Sequence, residues 1–144
     1  MSHRVTTERQ MEAALEDVWR YLGDFGSLKH WVADGENSNM TVTGEGIGCV
    51  RDFNLPSVGD VQHRLDELDH EAHRMTYSLT KGNPLGMASY SVSAWLTHTS
   101  DGCLMSWDGS FTADDGADTD TMVEQLKGAY LDMSVRLDAL ASKP

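Results

Sequence analysis

The chain has few basic residues and no long apolar segment. Its 144 residues include 11 Lys and Arg against 23 Asp and Glu, which gives a formal net charge of −12. Because phosphate contacts need clustered Lys and Arg, this balance argues against a nucleic-acid partner and against binding to anionic membrane surfaces. No apolar run approaches the roughly 20 residues that span a bilayer, so we expect no membrane insertion. The first residues show no signal-peptide core, and a cytoplasmic location is expected.

Cysteines and motifs for cofactor chemistry are also scarce. Cys49 and Cys103 each begin an apolar strand pattern, and we interpret both as buried thiols in a reducing compartment. The chain has no Cys-x-x-Cys pair, no Gly-x-Ser-x-Gly, no phosphate loop and no dinucleotide fingerprint. The acidic segment 114–120 lacks the spacing of a calcium loop and its closing Glu. The sequence therefore predicts neither a metal nor a cofactor.

The sequence does contain a series of segments in which apolar and polar residues alternate, with one helical pattern near each end of the chain. Apolar residues recur with a period near two in segments 4–11, 40–43, 49–55, 61–68, 75–79, 90–96 and 103–111, which predicts strands. Helices are predicted at 15–22, where Gly23 would end the helix in the left-handed conformation, and at 121–140, with Thr121 and Glu124 as a capping box. Segment 25–31 predicts a shorter helical turn. We expect one α+β domain over residues 1–144.

Several short motifs accompany this order of elements. They are Val18-Trp19, the segment 23–28 followed by Trp31, the segments 44–51 and 64–69, Ser89-Tyr90, the segment 102–107, and Tyr130. With them the chain resembles the helix-grip superfamily of START-like and birch-pollen-allergen-like proteins, and within it the polyketide cyclase/dehydrase (SRPBCC) group. The resemblance implies a seven-stranded curved antiparallel sheet wrapped around a long C-terminal helix, with two short helices after strand 1.

The chain departs from the family pattern at two positions. Val32 follows Trp31 where the family often has His-Pro, so we expect the entrance to the pocket to differ from that of the family. His63 stands where an acidic residue often precedes Arg-Leu in the fourth strand. Members of the family include lipid carriers, plant hormone receptors and aromatase/cyclases, so the resemblance implies a fold more specifically than an activity.

Two basic residues fall on the inward face of the predicted sheet. His63 alternates in step with Val61 and Leu65, and Arg51 shares a face with Phe53. Burying an unpaired charge is costly, so each position needs an explanation. One interpretation is a site in which Arg51 holds an acidic or enolate oxygen while His63 donates a hydrogen bond or moves a proton. The other is that each finds a buried partner, such as a tyrosine hydroxyl, a backbone carbonyl or an Asp.

Aromatic and methionine side chains share the predicted inner wall. The expected ligand contacts are Trp31, Phe53, His63, Tyr77, Tyr90, Trp107, Tyr130 and Met133. Such a lining would suit a flat hydrophobic ligand oriented by tyrosine hydroxyls. Core packing is the alternative, and we favour it for Trp107 and Met133. The loops 54–59 and 81–87 occupy the positions of the gate and latch loops of plant hormone receptors of this fold, although ordinary turns explain them as well.

Three functions follow as hypotheses. The first is binding of a small lipophilic molecule, aromatic or acyl, in an internal cavity. The second is a polyketide-type cyclase or dehydratase in which Arg51 stabilises an enolate, His63 is the general acid/base and a tyrosine orients a carbonyl. The third is a protein-interaction module with a filled core, in which the outward Trp95 anchors a partner, including a second copy in a homodimer.

Overall fold

The computed structural model describes residues 2–143, which form seven strands and two α-helices. The strands are β1 (Ser2–Met11), β2 (Thr41–Thr43), β3 (Val50–Leu55), β4 (Gly59–Asp69), β5 (Arg74–Lys81), β6 (Met87–Thr99) and β7 (Gly102–Ala113). The helices are α1 (Leu15–Leu22) and α2 (Thr119–Ala141), with short 3₁₀ helices at Phe25–His30, Gly35–Asn37 and Pro84–Gly86. Within residues 2–143, no helix is both long and apolar enough to cross a membrane.

The seven strands form one antiparallel sheet in the order β1-β7-β6-β5-β4-β3-β2. β1 lies at one edge, and β6 joins β7 through a tight turn in which Thr99 pairs with Gly102. Register shifts between β4 and β5 accompany the curvature, since bulges bend and twist a sheet. The predicted α+β helix-grip fold is confirmed, with α1 and the Phe25–His30 turn as the two short helices.

The first helix buries a single apolar stripe of Leu15, Val18, Trp19 and Leu22. The prediction that Gly23 adopts a left-handed conformation is wrong, because its φ of −76° is an ordinary right-handed value. A Cβ at this position would lie 2.8 Å from the ring of Trp19. Glycine is therefore required here by close packing against the indole rather than by backbone conformation.

Helix α2 begins two residues before the predicted start, and a different residue caps it. The carboxylate of Asp118 accepts hydrogen bonds from the backbone N–H of Thr121 (3.1 Å) and from its hydroxyl (2.8 Å). The predicted capping box of Thr121 with Glu124 is wrong, because Thr121 donates to the true cap instead of acting as one. These hydrogen bonds, with that from the Thr121 hydroxyl the largest, lower the pKa of Asp118.

The C-terminal half of α2 is held to the β1–α1 connection by one buried carboxylate. Asp138 accepts hydrogen bonds from the backbone N–H groups of Glu12 and Ala13 and from the guanidinium of Arg9, at 2.9–3.2 Å. Burial raises the pKa of Asp138, but these donors outweigh it and the pKa is lowered. Asp138 is therefore ionised and fixes the position of the helix relative to the sheet edge.

Candidate ligand-binding cavity

A cavity of about 120 Å³ lies between α2 and the concave face of the sheet. Its wall consists of Leu28, Val32, Phe53, Leu55, Val58, Val61, His63, Tyr77, Pro84, Leu85, Met87, Tyr90, Leu126, Ala129, Tyr130 and Met133. The lining is predominantly apolar, and an apolar cavity of comparable size can hold a benzene ring. The cavity therefore has room for a group of about that size.

The more exposed lining residues come from four places around the cavity. Val32 follows the Phe25–His30 turn, Val58 belongs to the β3–β4 turn and Leu85 to the β5–β6 loop, while Ala129 lies on α2. All four are half-buried, whereas the tyrosines and His63 of the wall are buried. Leu85 has a φ of 58°, a left-handed conformation that is costly for a branched side chain. The two loops suggested as gates thus supply apolar residues to the wall, and their movement stays a prediction.

Arg51 and His63 face each other across β3 and β4 in the register of the sheet. The Nε and Nη2 atoms of Arg51 lie 3.2 and 3.1 Å from Nδ1 of His63, and its Nη1 donates to the backbone oxygen of Phe25 at 2.9 Å. Both side chains are almost completely buried, with exposed fractions of 1% and 7%. His63 lines the cavity, whereas Arg51 lies behind it and does not reach the wall.

The guanidinium of Arg51 is stabilised by aromatic faces rather than by a carboxylate. Its central carbon lies 3.9 Å from the ring centre of Phe25 and 4.5 Å from that of Tyr77. Each such contact contributes about 0.5–2 kcal/mol. Among residues 2–143, no Asp or Glu forms a salt bridge with Arg51. Burial lowers the pKa of Arg51 to about 10, so at neutral pH the cavity has an uncompensated positive charge directly behind His63.

His63 is held as a neutral imidazole in one tautomer. Because Nδ1 accepts from Arg51, the ring proton is on Nε2. Burial, followed by the charge of Arg51, lowers the pKa of His63 well below its usual value of 6.5. The ring also packs against Tyr77 and Phe53, with centroids 4.5 and 5.1 Å away. A general acid/base that cycles through the imidazolium form is not favoured by this environment.

Three tyrosines, Tyr77, Tyr90 and Tyr130, complete the polar part of the wall. The hydroxyl oxygens of Tyr90 and Tyr130 are 2.6 Å apart and share a hydrogen bond. Burial raises the pKa of both phenols, so they remain neutral. A Cβ at Gly109 in β7 would lie 2.0 Å from the Tyr130 hydroxyl. Gly109 was not among the residues predicted from the sequence, although a glycine inside a strand is a known signal of such close approach.

Two of the predicted ligand contacts are not at the cavity wall. Trp31 donates from Nε1 to the hydroxyl of Ser27 (2.9 Å), and Trp107 donates to that of Ser134 (3.0 Å). Trp107 also stacks on Tyr130 with ring centres 4.8 Å apart. Both indoles are fully buried with their N–H groups paired, as core residues are. The structure brings the other six, Phe53, His63, Tyr77, Tyr90, Tyr130 and Met133, together around the cavity.

The remaining candidates lie outside the cavity. Cys49 and Cys103 are free and buried, and burial raises the pKa of Cys103 to about 11, which makes it an inert thiol at neutral pH. Within residues 2–143, no group of three His, Cys, Asp or Glu side chains is arranged to hold a metal ion. Trp95 is half-buried on the outer face, where the guanidinium of Arg74 lies 4.8 Å from its ring centre.

Comparison with known proteins identifies relatives of the whole chain. The model of the family described as "Polyketide cyclase / dehydrase and lipid transport" matches residues 2–143. Protein XoxI from Bacillus cereus is similar in structure, with 23% identity, a TM-score of 0.78 and coverage of 94% of this chain and 93% of that one. Norcoclaurine synthase from Thalictrum flavum in complex with dopamine and hydroxybenzaldehyde has 17% identity, a TM-score of 0.76 and coverage of 100% and 90%. No curated protein matches significantly in sequence.

Proposed function

The chain belongs to the polyketide cyclase/dehydrase and lipid transport family, and on that premise we propose that it binds a small lipophilic molecule in the cavity beneath α2. The observation that carries the proposal is the cavity itself, an apolar space of about 120 Å³ with an imidazole and three phenols in its wall. Apolar walls with few convergent polar groups are the usual composition of small-molecule sites. The ligand is a compound with one aromatic ring, or a short acyl group, because larger molecules exceed the space.

The charge of the wall restricts the ligand further. None of the cavity-lining residues within 2–143 is an Asp, Glu, Lys or Arg, and the nearest charge is the cation of Arg51 behind His63. A protonated amine would find no counter-charge here and would be repelled by that guanidinium. The norcoclaurine synthase complex contains an amine, dopamine, and an aldehyde, hydroxybenzaldehyde. By its electrostatics the present cavity suits the second kind of molecule and not the first.

A cavity-filling substitution tests this proposal directly. Ala129 lies on α2 in the wall, and Ala129→Leu would fill about three methylene volumes of the space. Ala139 on the same helix is exposed, so Ala139→Leu is the matched control. We expect a benzene-sized aromatic to raise the melting temperature of the wild type and of Ala139→Leu, and to have little effect on Ala129→Leu. Equal responses in all three proteins would contradict the proposal.

Native mass spectrometry of the freshly purified protein provides an independent measurement. An added mass that vanishes on denaturation, and is absent from Ala129→Leu, would identify the co-purified ligand class.

The same spectra report the oligomeric state, so they test the predicted homodimer. A dimer that forms through Trp95 should be abolished by Trp95→Ser, and a dimer that survives this substitution would exclude Trp95 as its anchor. The cytoplasmic location stays a prediction.

The second candidate is a polyketide-type cyclase or dehydratase, and the observation that favours it is the cation of Arg51 next to His63. A carbonyl oxygen that accepts from His63 would gain negative charge on enolisation, which that cation stabilises. The wall within residues 2–143 has no carboxylate to remove a proton, and His63 carries its proton on the nitrogen opposite Arg51. Enolisation would therefore need water or a substrate group as base, so we place binding first.

A further inference from the structure

We propose that His63 is a fixed hydrogen-bond donor to the ligand, so that the preferred ligand is an aromatic carbonyl compound whose oxygen accepts from Nε2–H of His63. This inference rests on the proposed binding function and specifies the chemistry of the same cavity. It assigns His63 a recognition role that does not require any proton transfer.

The geometry of the Arg51–His63 pair determines which edge of the imidazole faces the ligand. Arg51 takes the Nδ1 edge with two of its nitrogens, at 3.1 and 3.2 Å, and it lies outside the cavity wall. Since Arg51 covers the Nδ1 edge from outside the wall, the geometry leaves the opposite edge of the ring, with Nε2–H, to face the cavity. Among residues 2–143, Nε2 of His63 has no hydrogen-bond partner, and although the residue is only 7% exposed, this atom is not one of the completely buried polar atoms without a partner. An accessible N–H in an otherwise apolar wall discriminates between ligands, because an oxygen can accept from it and a hydrocarbon cannot.

The identity of residue 63 matters because of the charge that it leaves in place. An acidic side chain opposite Arg51 would form a buried ion pair and would present no donor to the cavity. A histidine accepts from Arg51 without neutralising it, and the cation polarises the imidazole and strengthens Nε2–H as a donor. The site is therefore matched to oxygen acceptors rather than to hydrocarbons of the same shape.

The tyrosine pair supports the same ligand chemistry. Tyr90 and Tyr130 share one hydrogen bond between their hydroxyls, and Tyr77 lies beside Tyr90, so the three phenols of the wall form one cluster of hydroxyl groups. The phenols of Tyr90 and Tyr130 stay neutral, because burial raises their pKa. The polar groups of the wall thus offer donors, and a carbonyl oxygen with its two lone pairs is the group that complements them.

The experiment compares two isosteric probes in three proteins. Acetophenone and α-methylstyrene have nearly the same shape, but only acetophenone has an oxygen acceptor. His63→Gln keeps an oxygen for Arg51 and an N–H for the ligand, whereas His63→Glu pairs with Arg51 and removes the donor. We expect acetophenone to bind about 5-fold more tightly than α-methylstyrene to the wild type and to His63→Gln, which is the scale of one net hydrogen bond. The preference should vanish in His63→Glu.

Two readouts separate the possible failures. If both probes bind the wild type equally, or if His63→Glu keeps the preference, the donor role is overturned while the binding function stands. If neither probe binds, the proposed function fails and the inference fails with it. The ¹⁵N spectrum of histidine-labelled wild type gives a test without any ligand. The proton of His63 is expected on Nε2 alone, and a signal from the Nδ1–H tautomer or from imidazolium at neutral pH would overturn the inference.

Discussion

The two halves of α2 meet the rest of the molecule in opposite ways. Its C-terminal half is packed, because Leu137 and Ala141 are buried and Asp138 holds three donors from the β1–α1 region. Its N-terminal half contributes Leu126 and Ala129, and Tyr130 and Met133 near the middle of the helix complete its share of a wall that leaves a space of about 120 Å³. The helix packs mainly on β1, β7 and α1. The cavity lies where the helix faces β3 to β6 on the same concave surface.

This difference indicates that one end of α2 stabilises the fold and the other end forms the cavity. Interiors are normally close-packed, so a space kept open in a small domain needs rigid support around it. The carboxylate of Asp138 fixes one end of the helix, and the stack of Trp107 on Tyr130 marks where the packed region ends. The cavity end then tolerates weaker packing without collapse. The comparison predicts that substitutions at the packed end change stability, whereas those at the cavity end change mainly ligand binding.

The largest expected effect is from Asp138→Ala at the packed end. The change leaves two backbone N–H groups and the Arg9 guanidinium without their acceptor, which should lower the free energy of unfolding by about 3 kcal/mol. Asp132→Ala on the exposed side of the same helix removes a surface pair with Arg136 and should cost less than about 0.5 kcal/mol. Urea denaturation of both variants measures the difference, and similar free energies of unfolding would contradict the role of Asp138 in fixing α2.

The next effect tests the boundary between the two halves. Gly109→Ala would place a methyl group against the Tyr130 hydroxyl, and we expect a loss of about 2 kcal/mol from overpacking. Tyr130→Phe should rescue part of this loss, because it removes the clashing oxygen. The control is Gly128→Ala on α2, where a Cβ meets nothing within 4 Å, and it should stabilise by about 0.5–1 kcal/mol. A Gly109→Ala protein as stable as the wild type would show that the Tyr90–Tyr130 pair moves freely.

Much of the fold could be predicted because strand alternation assigns faces reliably. The period of two placed Arg51, His63 and Tyr77 inward, and all three are buried. Alternation cannot distinguish the two kinds of inward position, however. Trp107 and Tyr90 both face inward, yet only Tyr90 reaches the cavity, because the outcome depends on where α2 crosses the sheet. For the same reason Arg51 could be placed on the inner face but not behind His63.

Other features leave a signal in the sequence that strand alternation does not detect. Ser134 and Asp138 continue the apolar stripe of α2 at a spacing of four, and two polar residues on a buried stripe indicate buried hydrogen bonds. Their partners are the Trp107 indole and the backbone near Ala13, which are distant in the sequence. The tautomer of His63 and the volume of the cavity leave no such signal, since both depend on distances of a few tenths of an ångström.

The smallest effect concerns pH and tests the cavity end. The folded-state pKa of His63 lies well below 6.5, whereas an unfolded histidine titrates near that value. The unfolded chain therefore takes up a proton that the folded protein does not, so the stability contribution is present above about pH 6.5 and is lost as the pH falls. The slope from this group is at most about 1.4 kcal/mol per pH unit.

The comparison with His63→Gln isolates that contribution. Tyr77 and Phe53, which pack on the imidazole, bring no competing titration here, because burial raises the pKa of Tyr77. The lowered pKa values of Asp118 and Asp138 place their contributions at more acidic pH, below the range in which free histidine titrates. Unfolding free energies measured by urea between pH 7.5 and 5 should therefore fall more steeply for the wild type than for His63→Gln. Parallel curves would mean that His63 is protonated as easily in the fold as outside it, and the cavity end would then be as open to water as the surface.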